Sequence, residues 1–289
     1  DKMEPLLERG ANEGIFVQSE GALVCPADDP EQPPALLRKQ DGATLYLTRD
    51  LARIDYWEKT WQPDIMVVVV DVAQQFAQKQ LYAVSRKLDL TDADLVQVNF
   101  GRMRFADGGM STRKGNILLL KDLIGEARER AQQLVSERSH SMSEEQIAEA
   151  ANKIAISSIK YNILMQNRLS DIVFDWSTML NFEGNSAPYL LYTSTRIRSL
   201  LAKSESDSTG VDVAHSWDSP VEREVVLLLD QYADHLERSV REYKPSHLTN
   251  YIYLLAQRYN SLYNNLAILQ ASPSEREARL KLSRAVGEV

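Results

Sequence analysis

Cysteine is nearly absent: Cys25 stands alone among 289 residues. A single thiol excludes an internal disulfide and any zinc site built from several cysteines. The four histidines, His140, His215, His235 and His247, are scattered without metal-ligand spacing. No apolar run approaches the roughly 20 residues that span a bilayer. The opening Asp1-Lys2-Met3-Glu4-Pro5 carries no basic-then-apolar secretory pattern. These absences point to a cytoplasmic protein with no metal centre and no membrane partner. Positive charge is also short, 33 Lys and Arg against 41 Asp and Glu, for a net −8. That balance opposes nonspecific nucleic-acid binding, which needs cations to neutralise phosphates. It leaves room for two local basic clusters, Arg102, Arg104, Arg113 and Lys114, and Arg196, Arg198 and Lys203.

The length suits about two domains, each burying its own core. Contents of 44% hydrophobic and 26% charged residues are ordinary for a globular chain. The first hundred residues mix short strands and helices. Gly21–Val24 and Thr44–Leu47 read as strands, the second leading into a helix over about 49–59. Met66–Val70, apolar and mostly β-branched, predicts a strand buried on both faces. A helix over about 75–88 and a strand at Val96–Phe100 follow. Strand, helix and strand in alternation imply a parallel α/β sheet.

Beyond Lys121 the pattern is helical. Ser143-Glu144-Glu145-Gln146 is a capping box, and Ser219-Pro220-Val221-Glu222 and Ser272-Pro273-Ser274-Glu275 each place a cap, a proline and a reciprocal glutamate. A further helix spans about 187–203. Leu248, Ile252, Leu255, Tyr259, Leu262 and Leu266 form one helical stripe. The chain begins in mid-pattern and ends inside a helix at Val289 without a glycine stop, as expected of a segment cut from a longer protein.

Chemistry concentrates in Met110-Ser111-Thr112-Arg113-Lys114-Gly115-Asn116, after Asp107-Gly108-Gly109. Two hydroxyls and two cations between glycines suit a polyphosphate whose charge grows during reaction. A second constellation is Leu45-Tyr46-Leu47-Thr48-Arg49-Asp50, read as a strand-to-helix junction. Tyr46 would sit at the strand's C-terminal end, Asp50 in the first helical turn, and Thr48 would serve as the cap. Taken alone, each residue fits ordinary packing as well as ligand binding.

The loop at 110–116 resembles the signature loop of arginyl-tRNA synthetases, with which class I synthetases hold the triphosphate of ATP. The general pattern has lysines at its first and fourth positions; here Gly109 and Thr112 stand there, with Arg113 and Lys114 just after. Asp41–Asp50 resembles the arginine-pocket segment of that family, and Val70-Asp71-Val72-Ala73-Gln74 resembles the next one. Where the family carries a His-Phe pair, this chain has Ala77-Gln78. Gly184–Tyr192 with Arg196, and Asn250–Asn264, resemble helices of the family's anticodon-binding domain. Cysteinyl-tRNA synthetases share a related helical domain but hold zinc with cysteines that this chain lacks.

The resemblance implies α/β structure followed by all-α structure. The first is the C-terminal half of a Rossmann-like class I catalytic domain, and the second is a helical anticodon-binding bundle. It implies a catalytic part at 1–120, a connecting stem-contact region at 121–184 and the anticodon-binding part at 185–289. Tyr46, Asp50 and Gln74 would then hold arginine. Met110, Ser111, Arg113 and Lys114 would bind ATP with Mg2+, and Ser111, Thr112, Arg113 and Lys114 would act in catalysis. Tyr189, Arg196 and Tyr263 would contact tRNA(Arg), the enzyme working as a monomer without zinc. No His-x-Gly-His motif occurs in this sequence, so the resemblance implies an inactive fragment. The alternative is a noncatalytic tRNA-binding protein derived from a synthetase.

Overall fold

A computed structural model describes residues 2–105, 119–138, 142–204 and 217–289. The chain forms two units, Asp1–Gly101 and Arg102–Val289.

In the first unit, α1 (Glu4–Asn12) precedes three short antiparallel strands in order, β1 (Val17–Ser19), β2 (Ala22–Cys25) and β3 (Ala35–Arg38). Gly42, at φ +83°, turns the chain after β3. The strand expected at Thr44–Leu47 is reduced to one bridge between Thr44 and Arg38. Helix α2 runs from Tyr46 to Trp61. The reason is periodicity: Leu47, Thr48, Leu51 and Ile54 all turn toward the core, a helical spacing that reaches back to residue 47.

Next come β4 (Ile65–Asp71), a single 3-10 turn at Val72–Gln74, α3 (Gln75–Lys87) and β5 (Asp94–Phe100). Strands β4 and β5 pair in parallel from Ile65↔Asp94 to Asp71↔Phe100, as the strand–helix–strand alternation requires. The expectation that β4 is buried on both faces fails. Met66 is buried against α2 and α3 residues, whereas Val67 and Val69 are 41% and 63% exposed. The core of this unit lies on one side of the pair, so alternate valines face out. Leu6, Phe16, Leu37, Leu51, Leu81 and Leu88 belong to that core.

The second unit opens with β6 (Met103–Phe105), which pairs in parallel with β7 (Ile172–Phe174). Between them lie α4 (Leu120–Arg138) and α5 (Glu144–Leu164). Small residues face each other there: Ala127 and Ala131 of α4 and Ala151 and Ala155 of α5 share one buried cluster. Ser143 and Gln146 close the capping box as expected. After α6 (Trp176–Met179) the bundle comprises α7 (Ala187–Ser204), α8 (Pro220–Asp230), α9 (Tyr232–Arg241), α10 (Ser246–Asn265) and α11 (Pro273–Glu288). The α10 stripe is buried at Leu255, Tyr259 and Leu262, joined by Tyr251.

One expected cap is overturned. The Ser219 side chain makes no capping bond at α8, and Glu222 is buried and accepts from Arg279 Nε of α11 at 2.6 Å. Arg279 also donates to the Ala267 carbonyl and to Glu275, so the guanidinium gathers acceptors from 4, 12 and 57 positions away. Glu275 does cap its own helix, accepting from the Ser272 amide. Among the described residues, no helix is long and apolar enough to cross a membrane.

Candidate functional site

The first candidate site is the start of α2. Leu45, in extended conformation, caps the helix by its backbone alone. Thr48 is not the cap: it lies inside the helix, buried, and its hydroxyl donates to the Leu37 carbonyl, tying α2 to β3. Tyr46 is the first helical residue rather than the end of a strand. It is 80% exposed, with the Arg49 guanidinium 5.4 Å from its ring centre. Asp50 falls in the second turn, too far along for the helix terminus to hold it. Its partner is Arg53 Nη1 at 3.3 Å, the two side chains being 27% and 32% exposed. Arg53 in turn lies over Trp57, 5.0 Å from the ring centre.

Tyr46 and Asp50, one turn apart, share a face of α2. Gln74 is exposed in the 3-10 turn beyond β4, where Asp71 accepts from the Ala73 amide at 2.7 Å. Among the described residues, neither Tyr46 nor Gln74 bonds to Asp50. Gln78, on α3, is buried with its Oε1 unpartnered. Arg53 was missed in the sequence, although an arginine three residues after a helical carboxylate is a legible signal.

A second site lies on the bundle. The Arg196 guanidinium is sandwiched between Tyr192 and Tyr263, 4.7 and 4.6 Å from their ring centres. Its Nη1 donates to Asn260 Oδ1 at 2.6 Å and its Nη2 to the Tyr192 hydroxyl at 2.9 Å. Asn260 is held by donating to Thr193 at 2.8 Å. The structure therefore joins Arg196 to Tyr263 but not to Tyr189, which meets Tyr253 edge-on at 5.4 Å. Tyr192 and Asn260 were not singled out in the sequence. Tyr192 could have been, four residues before Arg196 on the same helix. Met110, Ser111, Thr112, Arg113 and Lys114 lie outside the described residues.

Residues 1–176 match the family described as tRNA synthetases class I (R), catalytic domain, and residues 190–289 match the DALR anticodon binding domain. The chain belongs to the class I arginyl-tRNA synthetases. Its fold is that family's catalytic-domain structure followed by the helical anticodon-binding domain. It is 34% identical over 292 residues to an arginine–tRNA ligase of Fusobacterium nucleatum, covering 100% of this chain and 51% of that one. A ligase of Mannheimia succiniciproducens is 35% identical over 288 residues, covering 96% and 50%. The chain thus spans about half the length of the curated relatives it matches. The Thermus thermophilus arginyl-tRNA synthetase structure has the same fold, with a TM-score of 0.85 at 21% identity over 99% of this chain and 55% of that one. The Plasmodium falciparum enzyme matches at a TM-score of 0.83 and 22% identity, over 99% and 49%.

Proposed function

We propose that this chain carries the arginine-recognising and tRNA-recognising portion of an arginine–tRNA ligase working in the cytosol. The reaction joins arginine to ATP, releasing pyrophosphate, and then passes the arginyl group to the terminal ribose of tRNA(Arg). The observation that carries this reading is the order of the two family matches on one chain, the catalytic segment followed by the anticodon-binding bundle. Within this reading the functional division is 1–120, 121–184 and 185–289.

Asp50 supplies the carboxylate for the substrate guanidinium, a planar, permanently charged fork. Tyr46 adds a ring face one turn earlier, and Gln74 an amide. Met110, Ser111, Thr112, Arg113 and Lys114 take the phosphates of ATP, which enters as its magnesium complex. Such chemistry needs no protein nucleophile; it rests on positioning and on stabilising the charge that develops on phosphate. On the bundle, Arg196 between Tyr192 and Tyr263 presents stacked planar surfaces for unpaired anticodon bases, with Tyr189 nearer the start of α7.

None of the four histidines stands in a His-x-Gly-His sequence, so the chain by itself forms no adenylate. Arginine- and tRNA-dependent pyrophosphate exchange measured on this chain is expected at background. Robust exchange overturns that statement. Absence of both exchange and tRNA(Arg) binding overturns the wider assignment.

A further inference from the structure

The carboxylate proposed to receive the substrate already faces a guanidinium of this chain. Arg53 Nη1 approaches Asp50 Oδ1 at 3.3 Å. The pairing is one-pronged: Arg53 Nε and Nη2 are buried and without a hydrogen-bond partner. A carboxylate and a guanidinium at full strength make two parallel N–H···O bonds. Buried donors without acceptors have given up water for nothing. The Trp57 ring holds the Arg53 head close to the helix, 5.0 Å from the ring centre, instead of releasing it to solvent. Across from α2, the Tyr82 hydroxyl on α3 bonds the Val96 carbonyl at 3.3 Å and feels the charges of both Arg53 and Asp50. The pair therefore sits against α3, at the polar edge of the first unit's core.

We infer that Arg53 is an internal competitor for the arginine-recognising carboxylate, holding Asp50 in a half-made pair that free arginine must displace. This rests on the reading of Asp50 as the substrate receptor. A ligand able to offer both prongs outbids Arg53, whose reach from three residues along the same helix gives only one. A neutral isostere such as L-citrulline brings no charge to replace the one it must push aside, so Arg53 sharpens selectivity for the cation. After displacement the Arg53 guanidinium keeps its place over Trp57. The ordinary reading of the same contact is a helical ion pair of little consequence. The two differ in what removal of Arg53 does to ligand binding.

Calorimetric titration of L-arginine and L-citrulline into the chain separates them, using Arg53→Met, Arg53→Lys, Asp50→Asn and the double variant Arg53→Met/Asp50→Asn. Arg53→Met keeps the apolar stem on Trp57; it is expected to bind arginine about fivefold tighter and to discriminate less against citrulline. Arg53→Lys retains a single-pronged cation and is expected to bind as the parent chain does. The double variant is expected to lose the gain. If Arg53→Met binds arginine no tighter while Asp50→Asn weakens binding, the competitor inference falls and the receptor reading stands. If Asp50→Asn binds arginine as well as the parent, or no variant binds it, the receptor reading itself falls and takes the inference with it. Thermal melts check that each variant is folded, and Arg53→Gln replaces Arg53→Met if the latter is not.

Discussion

Arg196 shows how a single side chain can be placed for recognition and still be held by the fold. Its guanidinium lies between two tyrosine rings and donates to Asn260. Removing it frees Tyr263 and leaves Asn260 Oδ1 without that donor. Arg196→Ala and Tyr263→Ala are each expected to weaken tRNA(Arg) binding by about 1–3 kcal/mol, the range for loss of one stacked base. Filter binding with circular dichroism as a folding control checks this; unchanged affinity in both variants removes the assignment. Glu222 and Arg279 make a different case. They are 1% and 8% exposed at the side chain and 2.6 Å apart. Arg279→Met takes the guanidinium from a buried carboxylate and is expected to lower stability by about 3–5 kcal/mol in urea unfolding, more than the paired removal of both charges. Neither contact could be read along the chain, because the partners lie 64 and 57 positions apart.

At the scale of the element, local rules worked where the partners are local. The Ser143–Gln146 box joins residues three apart, and its geometry is as the spacing dictates. Ser143→Ala is expected to remove about 1 kcal/mol, read in the thermal midpoint. The same rule misled at Ser219, whose side chain makes no capping bond, while Glu222 meets Arg279 of another helix. Tyr46 was misplaced because four residues, Thr44–Leu47, carry too little pattern to separate strand from helix; the longer run through Ile54 decides it. In α1, Gly10 passes so close to Phe16 that a Cβ would overlap the ring. Gly10→Ala is therefore expected to destabilise by about 1–3 kcal/mol, although alanine is the better helix former. A raised thermal midpoint for that variant counts against the packing described for α1.

For the molecule as a whole, each unit has its own core, and that of the helical bundle is rich in tyrosine. Burial pushes the hydroxyls of Tyr251 and Tyr259 up to about 12, Tyr259 being partly offset by its bond to Ser283. Ionisation is disfavoured in the folded state, so this stabilisation is complete below pH 10. It is lost as pH rises from there through about 12, where unfolded tyrosines ionise first. The helical signal is expected to fall as the last of the tyrosinate absorbance appears in that window; ionisation of all twelve tyrosines at full helicity counts against the burial. At the acid end, bonds from His247, Arg238 and Lys244 hold the Glu242 carboxyl down at about 2.

The sequence by itself determined the family, the order of α/β before all-α structure, and the helices whose caps and stripes are short-range. Periodicity and capping join residues three to eight apart, and family motifs are contiguous, so both survive without coordinates. Only the tertiary structure decided that Arg196 meets Tyr263 and Asn260 of another helix, and that Glu222 meets Arg279 of α11. Those outcomes depend on which charged or aromatic side chains the packing of different helices brings together. Packing settles that in space, and linear spacing does not encode it.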